Sequence, residues 1–285
     1  MSNLAWLGRT TLLIGEERLQ KLQNSHVLVV GLGGVGSFAA EFIARSGVGT
    51  MTIVDGDVVD PSNINRQLIA LATTHGQPKA DLMAERLLAI NPDLKLTSIR
   101  KFLSPEAAEA ILSDTKFDYV MDCIDSITPK LTILTTAHQK GLPIVSSMGA
   151  GGKIDPTKIC TADLFDTREC YLASLMRKRL RKIGITTGIK AVYSTEKMME
   201  ESLMLTDGAN YKKSAYGTIS YMPAAFGGVC ASVVLRDLLG YPVEMEEKLK
   251  ALVAREKKQK EIEAKRKQVF FDKYEQNYLI KMNNL

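Results

Sequence analysis

The sequence predicts an α/β fold: a doubly wound, Rossmann-like, mostly parallel sheet with a smaller extension and a charged C-terminal tail. The first observation is the run V-L-V-V-G-L-G-G-V-G at residues 27–36, an apolar strand that ends in a glycine-rich turn. The second is that strand-like and helix-like segments alternate as far as about residue 148. Such alternation is typical of parallel strands joined by helical crossovers.

The elements follow from apolar spacing along the chain. Strands are predicted at residues 27–30, 49–54, 94–99, 119–121 and 144–146, and helices at 37–45, 79–88, 105–112 and 129–139. Beyond residue 149 we expect Gly-rich turns, a basic helix over 166–183, short strands and a final apolar helix at 223–239. The predicted domain is therefore 1–243, with halves at about 20–148 and 149–243, followed by a helical tail at 244–285.

Composition excludes several classes of protein. The chain has 285 residues and a net charge of +5, and we expect a cytoplasmic protein without a membrane segment because it has neither an apolar leader nor a run of eighteen apolar residues. Its four cysteines form no C-x-x-C pair, which argues against a cysteine-rich zinc site and a disulfide framework. We expect all four to be packed, unreactive thiols.

The glycine-rich turn predicts a nucleotide site. Gly31, Gly33, Gly34 and Gly36 would let backbone N–H groups approach phosphate oxygens at the start of a helix. Asp55 follows the next strand, about twenty residues on, where a carboxylate can accept hydrogen bonds from a ribose. A purely structural turn is the weaker alternative.

The segment after Asp55 favours ATP over a dinucleotide. It contains N-I-N-R-Q at residues 63–67 and Q-P-K at 77–79. Preorganised Arg and Lys donors stabilise the negative charge that shifts along a triphosphate as pyrophosphate leaves. Arg66 and Lys79 could alternatively be ordinary surface cations.

A second acidic segment, D-C-I-D-S at residues 122–126, ends a predicted strand. Mg²⁺ prefers oxygen ligands and usually bridges a carboxylate to phosphates, so Asp125 is the candidate metal ligand. Asp125 could instead cap the helix that follows. For Asp122 we favour backbone hydrogen bonding at the strand end over metal binding.

Together these segments resemble the adenylating ThiF/MoeB/ubiquitin-activating superfamily. The downstream strings resemble its TcdA (CsdL) branch, the tRNA threonylcarbamoyladenosine dehydratases; they are S-S-M-G-A-G-G-K-I-D-P-T-K-I, R-K-R-L-R-K-I-G-I, V-Y-S-T-E and G-T-I-S-Y-M-P-A-A-F-G-G-V-C-A-S. The resemblance covers roughly residues 4–240 and leaves out the tail. It implies ATP-dependent activation of a threonyl carboxylate on a modified tRNA adenosine, followed by ring closure, with ATP and Mg²⁺ as cofactors.

The resemblance also implies residue roles. The four glycines would shape the nucleotide loop, Asp55 would hold the ribose, and Asp125 would lie near Mg²⁺. The phosphates would be contacted by Asn63, Arg66 and Lys79. In a homodimer, Arg9 would reach the ATP phosphates of the partner subunit, although an ordinary surface arginine is a comparable interpretation. A sulfur-relay protein is a further partner that the resemblance allows.

The basic helix has two interpretations. Apolar residues recur at helical spacing at Leu172, Leu175, Met176, Leu180 and Ile183 and would face inward. The cations outside that stripe, Arg177, Lys178, Arg181 and Lys182, would then bind tRNA phosphates or form a solvated face, and we favour tRNA binding. The tail interleaves its cations with glutamates, which favours a solvated helix over a second RNA-binding arm.

Two other functions stay open. The nearer one is adenylation of the C-terminal glycine of a ubiquitin-like or sulfur-carrier protein, which predicts turnover that depends on a small protein. The other is a nucleotide-dependent scaffold, which predicts ATP binding without AMP formation.

Overall fold

A computed structural model of the protein describes residues 4–205 and 214–246. The tail helix predicted for 244–285 lies outside these residues, except for its first three positions. The two functional halves and the boundary at residue 243 stay predictions.

The strands and helices follow the chain in the alternating order that the sequence predicts. The strands are β1 (His26–Val30), β2 (Thr50–Val54), β3 (Lys95–Ile99), β4 (Tyr119–Asp122), β5 (Ile144–Ser147), β6 (Ile159–Asp163), β7 (Lys190–Ser194), β8 (Leu203–Leu205) and β9 (Ser214–Tyr216). The helices are α1 (Gly8–Ile14), α2 (Glu16–Gln23), α3 (Gly36–Arg45), α4 (Lys79–Ile90), α5 (Pro105–Asp114), α6 (Ile127–Gln139), α7 (Tyr171–Lys182) and α8 (Tyr221–Leu239).

In the described part of the chain, seven strands form one sheet in the order β3-β2-β1-β4-β5-β7-β6. Its pairs are parallel except β6–β7, which is antiparallel, and β8 and β9 form a separate two-stranded sheet. The predicted doubly wound, mostly parallel sheet is therefore confirmed. The carboxyl ends of its parallel strands lie at one edge, where ligands of such sheets bind.

Helices cover both faces of the sheet, and each face has its own apolar core. One core joins α2, α3, α4 and α8 to the sheet, and the other joins α5, α6 and α7 to it. Strands buried on both faces need apolar residues at consecutive positions, as in Val27–Val30. Helix α8 has the length and apolar composition of a membrane span, yet half of it is buried inside this fold against α3 and the sheet.

The basic helix differs from its predicted bounds. It begins at Tyr171 rather than 166, because residues 164–166 form a 3-10 turn capped by the Asp163 side chain. Glu169 then takes a left-handed backbone conformation, with φ of 50°, which a continuous α-helix cannot accommodate. Ile183, expected on the buried stripe, lies past the helix end and is exposed.

The far edge of the sheet is β6, and the last described residue covers part of it. The Glu246 N–H donates to the Thr161 carbonyl at 2.7 Å. The Glu246 carboxylate accepts from the Tyr193 hydroxyl at 2.9 Å and pairs with Arg168 at 2.7 Å. These bonds fix the chain against the edge strand and its neighbour β7.

Candidate active site at the carboxyl edge of the sheet

The glycine loop between β1 and α3 leaves no space for side chains at two positions. Gly31 has φ of +87°, which favours glycine, and a Cβ there would lie 3.0 Å from the Cys123 carbonyl. A Cβ on Gly36 would lie 1.7 Å from the Gly31 carbonyl oxygen. The close turn brings the backbone of the loop to the start of α3, as the sequence predicts.

Asp55 fixes this loop to the end of β2. Its carboxylate accepts the Leu32 N–H at 2.6 Å and the Asp57 N–H at 2.8 Å. Burial raises the pKa of Asp55, while the nearby Lys79 ammonium and the two N–H donors oppose the rise. Asp55 therefore lies beside the glycine loop, as a ribose ligand would.

Arg66 lies close to Gly34 of the loop. A Cβ on Gly34 would be 3.4 Å from the Arg66 Cγ, so the arginine stem lies against the loop. The Arg66 guanidinium donates to the Ser62 carbonyl at 2.9 Å and to the Asn65 Oδ1 at 3.0 Å. Asn63 is buried, and its side-chain oxygen caps the turn preceding Arg66 by accepting the Asp60 N–H.

Lys79, at the start of α4, is buried rather than extended into solvent. Its Nζ donates to the Asp57 carboxylate at 3.2 Å, and its backbone N–H donates to the Asp57 carbonyl at 3.0 Å. The ammonium is thus held near Asp55 and the glycine loop. The surface-cation alternative does not describe this lysine.

Asp122 is a structural residue, as favoured from the sequence. It is fully buried and pairs with the equally buried Lys130 of α6 at 2.5 Å. It also accepts the Ser146 hydroxyl at 2.6 Å and the Ile124 N–H at 3.0 Å. Asp125, the residue after Ile124, is exposed beyond the carboxyl end of β4. The N-cap of α6 is Ser126, whose own side chain makes no capping hydrogen bond.

Gln67 belongs to this site but was not among the predicted residues. It is buried, and its amide Nε2 would be 3.8 Å from a Cβ on Gly33. Its Oε1 is buried without a hydrogen-bond partner among the described residues. The sequence could have indicated Gln67, because it directly follows Arg66 in N-I-N-R-Q.

The cysteines next to the loop are packed. Cys123 and Cys230 belong to one apolar core. A hydrogen bond with Cys230, together with burial, raises the pKa of the Cys123 thiol. No three His, Cys, Asp or Glu side chains in residues 4–205 and 214–246 are grouped so that they could hold a metal ion by themselves.

Two predicted groups lie apart from the glycine loop in sequence and in secondary structure. Arg9 is exposed on α1, which packs against α2. On α7, Lys178, Arg181 and Lys182 are exposed as expected, whereas Arg177 is half-buried and donates to the Thr167 hydroxyl. Burial and the neighbouring Arg181 lower the pKa of Arg177.

The exposed cations of α7 therefore differ from the predicted set. Arg179, which was not among the predicted contacts, is exposed and increases the positive charge of α7. The Arg181 guanidinium lies over the Phe165 ring at 5.4 Å, a cation–π contact that leaves its charge near the surface.

Comparisons with known proteins show similarity over most of the chain. The ThiF family model matches residues 7–270. The tRNA threonylcarbamoyladenosine dehydratase of Bacillus subtilis is 40% identical over 238 residues, which are 81% of this chain and 93% of that protein. The Escherichia coli sulfur carrier protein ThiS adenylyltransferase is 35% identical over 137 residues, or 47% of this chain and 54% of that protein.

A solved structure extends this similarity to the fold. The crystal structure of the E. coli tRNA N6-threonylcarbamoyladenosine dehydratase TcdA in complex with ATP superposes with a TM-score of 0.75 and 36% identity, covering 83% of this chain and 95% of that one. The resemblance inferred from the motifs is thereby confirmed. This chain belongs to the ThiF family.

Proposed function

We propose that this protein catalyses the ATP-dependent dehydration of threonylcarbamoyladenosine in tRNA, closing a ring in the modified base. The observation that carries the proposal is the glycine loop with Arg66 against it, in a chain similar over about four-fifths of its length to a dehydratase. The reaction class is adenylation, in which the threonyl carboxylate displaces pyrophosphate from the α-phosphorus of ATP. A neighbouring group of the same modification then attacks the acyl carbon and releases AMP.

The residues of the loop have complementary roles in the first step. The N–H groups of Gly31 and Leu32 donate to the Val54 carbonyl and the Asp55 carboxylate, so the backbone N–H groups of residues 33–36, at the N-terminus of α3, would face the phosphate oxygens. Arg66 lies where it can follow the charge as pyrophosphate leaves, and Lys79 adds a second positive charge beside Asp55. Each carboxylate oxygen of Asp55 accepts one backbone N–H and keeps a further lone pair, which a ribose hydroxyl would use.

Asp125 would hold Mg²⁺, and the metal would supply positive charge to offset that of the phosphates. A single exposed carboxylate suits this metal, because Mg²⁺ keeps several waters and takes other ligands from the phosphates.

The second step requires no nucleophile from the protein. Ring closure is intramolecular, and an attacking group already tethered to the acyl carbon has a large entropic advantage. The packed Cys123, whose pKa is raised, is consistent with chemistry that does not pass through a thiolate. A sulfur-relay partner is not needed for this reaction and stays a prediction.

The proposal extends to the assembly and to the RNA. The exposed cations of α7 would bind tRNA phosphates beside the anticodon. The protein would act in the cytoplasm as a homodimer, in which Arg9 reaches the partner subunit's phosphates. Helix α1, which carries Arg9, exposes the apolar side chains of Leu12 and Leu13, and a second subunit would cover them.

Adenylation of a small carrier protein is the rival function. The match to the ThiS adenylyltransferase spans 47% of this chain, whereas the match to the Bacillus subtilis dehydratase spans 238 residues and therefore extends past residue 149. That region includes α7 and the loops beside Asn65, which supports the RNA substrate.

The test is incubation with ATP, Mg²⁺ and either modified or unmodified tRNA, scoring AMP and the mass of the nucleoside. We expect AMP and a nucleoside lighter by one water with the modified tRNA only. AMP formation that requires a carrier protein and ignores tRNA would replace this function with its rival, and ATP binding without AMP would favour the scaffold.

A further inference from the structure

A cavity of about 500 Å³ lies next to the phosphate-binding segment. Its lining comprises Asn65, residues 152–154, Met199, Ser202 and residues 217–220. We call it the Asn65 cavity. Ligand pockets of proteins usually measure about 300–1,000 Å³, so a nucleoside-sized molecule fits this volume.

Asn65 joins this cavity to Arg66. Its Nδ2 donates to the Thr218 carbonyl in the cavity wall at 2.9 Å. Its Oδ1 accepts from the Arg66 guanidinium at 3.0 Å. One amide therefore contacts both the wall of the cavity and the cation that lies against the glycine loop.

The other side of the cavity is equally close to the loop. Ser220 lines the cavity and directly precedes α8. Pro223, in the first turn of α8, has its Cβ 3.0 Å from the position of a Cβ on Gly34. Two separate segments, residues 65–66 and 220–223, therefore connect the cavity to the glycine loop.

The segments that form the wall of the cavity are joined by backbone hydrogen bonds. The Gly152 N–H donates to the Gly217 carbonyl at 2.8 Å, and the Gly152 carbonyl accepts the Met199 N–H at 2.9 Å. The Gly217 N–H donates to the Ser202 carbonyl at 2.9 Å. Gly152 has φ of +69°, and a Cβ there would lie 2.6 Å from Met198. Such a close-packed wall is formed before any ligand binds.

The lining is apolar and nearly uncharged. Ile154, Met199 and Ile219 are each more than 40% exposed, an unusual group of apolar side chains around one opening. Among the described residues that line it, Lys153 alone is charged. The Lys153 ammonium donates to three backbone carbonyls, of Glu169, Ser194 and Glu196, which leaves it no proton for a ligand.

We propose that the Asn65 cavity binds the modified adenine base of the substrate, unstacked from the RNA, and that Asn65 is a positioning residue that aligns the bound base with Arg66. This inference rests on the proposed function. A flat uncharged ring suits apolar walls, whereas a phosphate does not, and enzymes that modify a base take it out of the stack. The base's substituent would then extend past Asn65 towards the glycine loop.

An extended peptide tail is a poorer occupant. Peptides that add to a protein as strands use free backbone N–H and carbonyl groups. In this wall the backbone groups of Gly152, Met199, Ser202 and Gly217 bond to one another. A ring that needs few backbone partners fits better.

The first test fills the cavity. In Ile219→Trp and, from the opposite wall, Met199→Trp, the indole would occupy the space of the base. Leu88→Trp, at a comparably exposed apolar residue of α4, is the matched control. We expect both cavity variants to raise the KM for modified tRNA about tenfold or more, with unchanged ATP affinity and thermal unfolding, and the control to behave like the parent.

The second test separates the two bonds of Asn65. Asn65→Asp keeps the acceptor for Arg66 but removes the donor to Thr218, so it should raise the KM for modified tRNA and preserve kcat. Asn65→Ala loses both bonds and should also lower kcat. A merely structural role would instead lower the unfolding temperature of both variants and leave the two kinetic constants coupled.

The outcomes distinguish this inference from the function on which it rests. If the parent closes the ring but the tryptophan variants and Asn65→Asp keep the parental KM, the cavity assignment is wrong and the function stands. If the parent ignores modified tRNA and forms AMP with a carrier protein, and Ile219→Trp blocks that reaction, a peptide tail occupies the cavity and both proposals fail.

Discussion

Replacing Lys130 with Met tests how the acidic strand end after β4 is held in place. Lys130 and Asp122 are both fully buried, with 2.5 Å between Nζ and Oδ2. Methionine keeps an unbranched stem of similar length but removes the charge. The variant therefore leaves a buried carboxylate whose cation is gone.

The magnitude follows from what the carboxylate retains. After the change, Asp122 still accepts the Ser146 hydroxyl and the Ile124 N–H, at 2.6 and 3.0 Å, but it has lost the cation that pairs with it among the described residues. Breaking a buried ion pair by removing one partner costs about 3–5 kcal/mol. In a domain of this size each kcal/mol lowers Tm by roughly 2–4 °C, so the expected drop is roughly 6–20 °C.

The assay is thermal unfolding at neutral pH, with Lys140→Met, an exposed lysine just after α6, as the control. The double variant Asp122→Asn/Lys130→Met removes both charges and should recover part of the loss. AMP formation, measured well below Tm, should also fall, because Lys130 holds the Ile124 carbonyl at 2.9 Å next to Asp125. A drop no larger than that of the control, or a double variant as unstable as the single one, would refute the reasoning.

Four further predictions concern the site and its surroundings. Arg66→Ala or Lys79→Ala should slow AMP formation by about two to three orders of magnitude, and unchanged rates would remove that residue from the phosphate site. Asp125→Asn should raise the Mg²⁺ concentration for half-maximal AMP formation, whereas an unchanged midpoint would make Asp125 structural. Replacing the four exposed cations of α7 with Gln should flatten the salt dependence of tRNA affinity by up to about four phosphate contacts, with ATP affinity intact; they are Lys178, Arg179, Arg181 and Lys182. Parallel salt slopes would leave α7 a solvated face. Burial lowers the pKa of His26 below 6.5, so protonation favours the unfolded chain and the stability falls as the pH drops through 6.5. Urea unfolding of His26→Gln should lack this loss of stability. Identical pH profiles for the variant and the parent would exclude His26 as its cause.

Local signals predicted much of the fold and the nucleotide loop. Gly36 could be read from the sequence because the atom that excludes a side chain there is the Gly31 carbonyl oxygen of the same turn, and Gly31 because its positive φ belongs to that turn. The contact of Gly31 with Cys123 has no local signal. The antiparallel pairing of β6 with β7 could not be read from the sequence, because the paired residues lie 27 to 35 positions apart, from Asp163 with Lys190 to Ile159 with Ser194. Helices α1 and α2 went unpredicted: α1 has no buried residue, and α2 has only Leu19 and Leu22.

In the site, too, local features were predictable from the sequence and long-range contacts were not. Arg66 and Lys79 follow from residue type and spacing, but the bond from Asn65 to Thr218 spans 153 positions and has no local signature. Arg177 was expected to be exposed because the prediction used only the spacing of apolar residues along the helix. Its contact comes from Thr167, a residue before the helix begins.

The three bonds of Glu246 have a consequence for how this protein behaves at high concentration. An open edge strand presents unpaired N–H and carbonyl groups, which invite strands from other molecules and promote aggregation. At the β6 edge, Glu246 occupies the Thr161 carbonyl and adds a charged pair with Arg168. A chain ended at the predicted boundary, residue 243, would uncover that edge and should self-associate more readily than one ended after Glu246.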